Sequence, residues 1–237
     1  MNLLLLTPED CPAPGRARLL DGRRLQHVRE VHRAAAGDRL RVGLVGGFTG
    51  EAVVTAVERE LLELEFTLDQ APPAKLPLTL LLSLPRPKML KRILQTVATM
   101  GVQRLVLMNS YRVEKSFWDS PWLAPETVRE QLLLGLEQAR DTVLPEVLLE
   151  PRFKPFVEDR LPALCRNSYA YVAHPGSADA CPVAIDAPVT LAIGPEGGFI
   201  PYEVGMLQAA GFQAVHLGPR ILRVETAVTA LIARLYP

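Results

Sequence analysis

The sequence predicts an α/β protein in two parts: a small β-rich module, then a larger domain in which strands and helices alternate around a mostly parallel sheet. Three observations carry this. Short apolar stretches separated by turn residues fill about the first 70 positions. A stiff run, Ala71-Pro72-Pro73-Ala74 with Pro77, then interrupts the chain. Beyond it, strand-type and helix-type runs take turns to the end, the pattern of a parallel sheet covered by helices. The boundary falls at the proline run, giving parts 1–72 and 73–237.

In the first part, residues 3–6, 17–20, 39–45, 52–57 and 61–66 are strand candidates. Arg39-Leu40-Arg41-Val42 alternates polar with apolar, as a half-buried strand does, and Gly46-Gly47 marks a turn. One helix fits among them, with Leu25, Val28, Val31 and His32 at helical spacing. Small β-rich modules of this kind often form barrels.

In the second part, 78–84 is a continuous apolar run suited to a strand buried on both faces. A helix follows over 88–100, with Ile93, Leu94, Val97 and Met100 on one face, and Gly101 stands where a helix C-cap needs a residue at positive φ. Then come a strand at 105–108, a long helix over 125–140, and short strands near Val147 and at Tyr169–Ala173. The strand Val189–Ile193, a helix over 201–210, a strand at 214–217 and a closing helix Val224–Leu235 complete the order. No internal repeat or low-complexity segment interrupts it.

About half of the 237 residues are hydrophobic (49%), enough for a sizeable core, and the formal net charge is zero. That neutrality hides an uneven distribution. Arg16, Arg18, Arg23, Arg24, Arg29, Arg33, Arg39 and Arg41 face only Asp21, Glu30 and Asp38 in their stretch. Arg86, Lys88, Lys91, Arg92, Arg104, Arg112 and Lys115 face Glu114 alone. Two such segments are candidates for a phosphate-binding surface, with solvated helix faces as the plainer alternative. Cys11, Cys165 and Cys181 are odd in number and widely spaced, as expected of unpaired thiols in a reducing compartment, and no metal-ligand spacing accompanies them. The apolar 3–6 run ends at Thr7-Pro8-Glu9-Asp10, too soon for a signal peptide or a membrane span. A soluble, cytoplasmic protein without metal is the expectation.

The segments with chemical content lie near the C-terminus: Val-Thr-Leu-Ala-Ile-Gly-Pro-Glu-Gly-Gly-Phe at 189–199 and His-Leu-Gly-Pro-Arg-Ile-Leu-Arg-Val-Glu-Thr-Ala at 216–227. Each is an apolar run that breaks at Gly-Pro, so each reads as a strand end turning into a loop. Neither has dinucleotide-fingerprint or P-loop spacing. Two loops rich in free backbone N–H and C=O groups at one sheet edge can hold a ligand such as an adenine with its ribose. His174-Pro175-Gly176, after the 169–173 strand, is a candidate third loop or a plain turn.

The paired segments, with Glu203 four residues beyond Phe199, resemble the C-terminal signature of the RsmE family, ribosomal RNA small subunit methyltransferases of the SPOUT superfamily. The resemblance runs through the chain. Gln26-His27-Val28, Val31-His32-Arg33 and Ala36-Gly37-Asp38 are similar to an N-terminal segment of that family, with His32 in place of a usual Leu. Glu137-Gln138-Ala139-Arg140 with Pro145-Glu146 resembles its long helix, and 88–102 resembles a further helix in which Thr96 and Thr99 replace the usual Lys and Glu.

The resemblance implies a PUA-like RNA-binding β-barrel over 1–72 and, over 73–237, a SPOUT methyltransferase domain closed by a C-terminal trefoil knot, a rare exception to unknotted topology. It implies a homodimer that uses S-adenosyl-L-methionine to methylate N3 of a uridine in the 16S rRNA of the 30S subunit. It also implies cofactor contacts from Ile193, Gly194, Pro195, Glu196, Gly197, Gly198, Leu217, Gly218, Ile221, Leu222 and Ala227, with His174 and Pro175 as the third loop. Arg140, Arg223 and Glu225 are the catalytic candidates, and Glu196 shares with Glu225 the role of proton-acceptor candidate. Arg23, Arg24, Arg33, Arg86, Lys88, Arg92 and Arg112 are the phosphate candidates. Two other functions stay open on the residues alone: a knotted methyltransferase of another RNA such as tRNA, and a non-catalytic RNA-binding factor of ribosome assembly.

Overall fold

The computed structural model describes residues 2–20 and 22–237; Asp21, one of the few carboxylates set against the first basic segment, lies outside the described residues. The chain divides into two compact units. One takes the described residues up to Ala74 together with Leu132–Leu144, and the other takes Lys75–Gln131 and Pro145–Pro237.

The first unit holds β1 (Leu4–Leu6), β2 (Arg16–Leu19), α1 (Gly22–His27), β3 (Arg39–Leu44), β4 (Thr49–Val57) and β5 (Leu62–Gln70). The strands form one mixed sheet in the order β1-β3-β4-β5-β2, with β1 parallel to β3 and the other pairs antiparallel. Alternation decides which side is core: Ala17, Leu19, Val42, Ala52, Val54, Leu62 and Leu64 are buried together with Leu25 and Val28 from the helix. The helix expected around Leu25–His32 continues past α1 as one wide π turn, Val28–His32, and stops at Arg33 with φ 54°. The 132–144 stretch folds onto the same unit: Gly46 N–H donates to the Thr142 carbonyl at 2.8 Å and Asn2 N–H to that of Glu137 at 3.1 Å.

The sheet also disposes of much of the first basic segment. Arg16 and Arg18 on β2 lie opposite Glu65 and Glu63 on β5 and pair with them at 3.0 and 3.2 Å. Arg39 pairs with Glu51 across β3 and β4 at 3.1 Å, and Arg23 with the buried Glu137 at 2.7 Å. Arg24 is bound most completely, donating to both Asp10 oxygens at 2.6 and 2.8 Å and to the Leu5 carbonyl at 2.7 Å.

Burial raises the pKa of the Asp10 carboxyl, but the bonds from Arg24 and from the Thr7 N–H more than offset it and hold the group below its ordinary 3.8. A depressed carboxyl stabilises the fold above its unfolded pKa, and that contribution fades as acid carries the pH down through the folded value. Asp10→Asn is therefore expected to lose about 1–3 kcal/mol at neutral pH in urea titrations, and the gap to the parent should narrow progressively as acid carries the pH below the ordinary 3.8. A gap that is constant across that range would refute the assignment.

The second unit holds β6 (Leu76–Ser83), α2 (Pro87–Thr99), β7 (Val102–Met108), the start of α3 (Pro125–Ala139), β8 (Glu146–Glu150), α4 (Phe153–Pro155), α5 (Leu161–Leu164), β9 (Tyr169–Ala173), β10 (Asp179–Ala180), β11 (Val189–Ile193), α6 (Pro201–Ala209), β12 (Gln213–His216) and α7 (Val224–Leu235). All seven strands run parallel in the order β10-β12-β9-β11-β6-β7-β8. The two central strands are the apolar runs of the sequence. Leu78, Leu80, Leu81 and Leu82 of β6 and Leu191 and Ala192 of β11 are all fully buried, as strands covered on both faces must be.

On one face, Leu81, Val106, Val172 and Ala192 pack with Phe153, Phe156 and Leu161 and with Val204 and Leu207 of α6. On the other, α7 packs on β11 and on α2. The helical stretch from Phe153 to Leu164, with its π turn Phe156–Arg160, and the two-residue β10 were not expected from the sequence. Tyr236 follows α7, its hydroxyl donating to the Ala187 carbonyl at 2.7 Å, and burial pushes its pKa up to about 12.

Candidate active site

Seven parallel strands place all their C-terminal ends along one edge, and ligands bind at such an edge where the strand order reverses. Here β6, β7 and β8 run outward in one direction, while β11 is inserted between β9 and β6 and β12 lies beyond β9. The loops after β9, β11 and β12 are therefore neighbours, although these strands end at Ala173, Ile193 and His216, well apart in sequence.

These loops enclose a cleft of about 850 Å³, within the range of small-molecule sites. His174 and Pro175 come from the β9 loop; Ile193, Gly194, Pro195, Glu196, Gly197 and Gly198 from the β11 loop; Leu217, Gly218, Ile221, Leu222, Arg223, Glu225 and Ala227 from the β12 loop and the first turn of α7. The structure thus gathers every expected cofactor position at one cleft, with Arg223 and Glu225 among them. Arg86 and Arg112 line it too, as do Met89, Phe199 and His216, which were not among the expected cofactor contacts.

Glycine is required at defined points. A Cβ on Gly194 would lie 2.9 Å from the Phe199 nitrogen and 3.2 Å from the Gly198 carbonyl carbon, both backbone atoms of its own loop. Gly198 has φ +73° and closes the turn by donating to the Pro195 carbonyl at 2.7 Å. Gly218, at φ +109°, donates to Nδ1 of His216 at 2.8 Å.

The charged groups form a chain of contacts around the β11 loop. Glu196 accepts from the Arg86 N–H at 3.3 Å, and the Arg112 guanidinium donates to the Gly197 carbonyl. Behind them sits Glu203, 2% exposed, in the first turn of α6. Its carboxylate accepts from Ile200 N–H at 2.9 Å and from Tyr111 N–H at 2.7 Å, joining the loop after β7 to the loop after β11. Glu203 stood in the quoted signature, but its long-range partner left no local trace.

The remaining candidates lie elsewhere. Lys88 and Arg92 are exposed on α2. Arg33, exposed at φ 54°, and Arg140, exposed at φ 58° after the last turn of α3, belong to the first unit. Arg23 and Arg24 are in the ion pairs described above.

The comparisons with known proteins agree with this architecture. Residues 72–236 match the model of the RNA methyltransferase domain. A ribosomal RNA small subunit methyltransferase E from Treponema pallidum is 29% identical over 98% of this chain and 90% of its own length, and the protein of that name from Synechocystis is 27% identical over 89% and 70%. Among solved structures, a ribosomal RNA small subunit methyltransferase E from Neisseria gonorrhoeae, bound to S-adenosyl methionine, superposes with a TM-score of 0.75 at 25% identity, over 98% of this chain and 95% of that one. The chain belongs to the RNA methyltransferase domain family, and within it to the RsmE group.

Proposed function

We propose that the protein is an S-adenosyl-L-methionine-dependent methyltransferase that methylates uracil N3 of a uridine in the 16S rRNA of the small ribosomal subunit. The observation that carries this reading is the gathering of three strand-end loops into one glycine-lined cleft, in a chain of the RNA methyltransferase family. The cleft fits the cofactor chemically. Ile193, Leu217, Ile221 and Leu222 offer apolar surface, Gly194, Gly197 and Gly198 leave backbone groups accessible, and a side chain at Gly194 would press on the loop that shapes the wall. When bound, S-adenosyl-L-methionine supplies an electrophilic methyl group.

The chain's own residues then have three tasks. They hold the base and the methyl donor in line, accept the proton that leaves N3, and offset the negative charge that develops on O2 and O4. Arg223 at the N-cap of α7 and Glu225 in its first turn suit the second and third, the carboxylate taking the proton and the guanidinium facing the base oxygens. Glu196 is the other carboxylate at the cleft, and Arg140 is assigned to phosphate or base charge. Because pairing hides N3, the uridine must be unpaired or extruded.

With this reading go a PUA-like barrel for the N-terminal sheet, a boundary near residues 72–73 and a homodimer. A trefoil knot at the C-terminus goes with it too; the insertion of β11 between β9 and β6 and the return of α7 onto β11 support the knot. Phosphate contacts fall to Arg33, Arg86, Lys88, Arg92 and Arg112, joined by Arg23 and Arg24 only if their carboxylate partners are released. The near-full-length relatives named for the small subunit favour rRNA over tRNA, and the glycine cradle favours an enzyme over a scaffold.

The test is methyl transfer from labelled S-adenosyl-L-methionine to 30S subunits lacking the modification, followed by nucleoside mapping. The expected product is 3-methyluridine at one position. No incorporation into 30S subunits or 16S rRNA, or a methyl group on another atom, would refute the reading.

A further inference from the structure

Two tyrosines beside the cleft have no task in the fold. Tyr111 is 78% exposed and Tyr202 56% exposed, and neither hydroxyl has a partner among the described residues. They come from distant parts of the sequence, one in the loop after β7 and one in the first turn of α6. Glu203 brings their backbones together: its buried carboxylate holds the Tyr111 N–H, and Tyr202 is the residue before it. Arg112, the residue after Tyr111, reaches the Gly197 carbonyl at the rim of the cleft. Two exposed aromatic residues and a guanidinium are thus fixed next to the site by a buried anchor. The cleft itself is lined by four arginines, Arg86, Arg112, Arg220 and Arg223, against Glu196 and Glu225, a surplus of positive charge in a chain of zero net charge.

Solvent-exposed aromatic rings on a rigid backbone beside a cationic rim are the composition that receives unpaired nucleotides: every base has a π face to stack, and phosphates take the cations. We propose that Tyr111 and Tyr202 form a stacking platform for unpaired nucleotides that flank the one presented to the cleft. This rests on the reading that the substrate is RNA. It adds a contact that is insensitive to base identity and independent of the cofactor.

Binding of a fluorescent, unstructured oligouridine to the full chain, titrated at several salt concentrations, separates stacking from charge. Tyr111→Ala and Tyr202→Ala are each expected to weaken binding roughly 5- to 100-fold with the salt slope unchanged, and Tyr→Phe at either position should restore it. Arg112→Ala should instead lower the slope by about one. Affinity for S-adenosyl-L-methionine by calorimetry should be the same in both tyrosine variants and the parent. If the parent binds RNA and both alanine variants bind within about twofold of it, the platform is refuted while the RNA substrate stands. If the alanine variants change the sedimentation of the protein, the patch joins copies of this chain and the proposal falls. A parent that neither binds RNA nor methylates 30S subunits overturns the platform and the substrate reading together.

Discussion

Gly194→Ala should weaken binding of S-adenosyl-L-methionine at least tenfold, measured by calorimetry, and lower the melting temperature by several degrees. The added Cβ would stand 2.9 Å from the Phe199 nitrogen and 3.2 Å from the Gly198 carbonyl carbon. These are backbone atoms, so no side chain can swing aside, and the loop 194–199 must open to admit the methyl group. Overpacking of this kind costs about 1–3 kcal/mol, and the same displacement carries Gly197 and Gly198 away from their places in the wall. A tenfold loss of affinity corresponds to about 1.4 kcal/mol, so all but the lowest part of that range suffices if it falls on the bound state.

Two substitutions frame the result. At Gly197 the nearest atom to a Cβ is Cδ of Arg112 at 2.8 Å, part of a flexible side chain, so Gly197→Ala should cost less and mainly disturb the Arg112 contact. Gly205, in α6, has nothing within 4 Å, and Gly205→Ala should be neutral or stabilising by about 0.4–1 kcal/mol. Unchanged affinity in a folded Gly194→Ala protein would remove the β11 loop from the cofactor site.

Much of this site was legible because its signals are local. The apolar run at 189–193 followed by Gly-Pro is a strand end in the sequence and β11 with its loop in the structure, and α7 begins where the second signature turns helical. The elements that escaped notice lack such signals. Residues 153–164 contain Pro155 and Pro162, which read as breaks; Pro162 sits in the first turn of α5, where a missing N–H costs nothing. The two residues of β10 are too few for a period.

Strand order is the other loss. Nothing near Val189 says that β11 will sit between β9 and β6, and that insertion creates the cleft. Register likewise decided the fate of the first basic segment. Arg16 and Arg18 look free in sequence because Glu65 and Glu63, their partners, are more than 40 positions away on β5. Half of Glu203's role was also readable: a Glu three residues after Ile200 at a helix start is placed to receive the Ile200 N–H. Its second bond, to Tyr111 across 92 positions, was not.

That second bond makes Glu203→Ala the most destabilising substitution expected near the site. The carboxylate is 2% exposed and accepts two backbone N–H groups, at 2.7 and 2.9 Å. Alanine leaves both donors without their acceptor and opens a hole behind the β11 loop. An unsatisfied buried donor costs about 1–3 kcal/mol; both bonds are partly accessible to solvent, so the lower part of that range applies to each, roughly 2–4 kcal/mol in all. For a chain of this size that is a fall in melting temperature of roughly 4–16 °C.

Glu203→Gln keeps one oxygen and replaces the other with a donor, so it can hold Tyr111 or Ile200 but not both, and should lose about half as much. Hydrogen exchange read at single amides distinguishes this role from generic loss of packing. In the alanine variant the Tyr111 and Ile200 amides should lose protection ahead of those in β11, whose bonds to β6 and β9 do not involve Glu203. If Tyr111 keeps its protection while the protein as a whole is destabilised, then Glu203 acts only as core volume, and the loop that carries Tyr111 and Arg112 is held in place by something else.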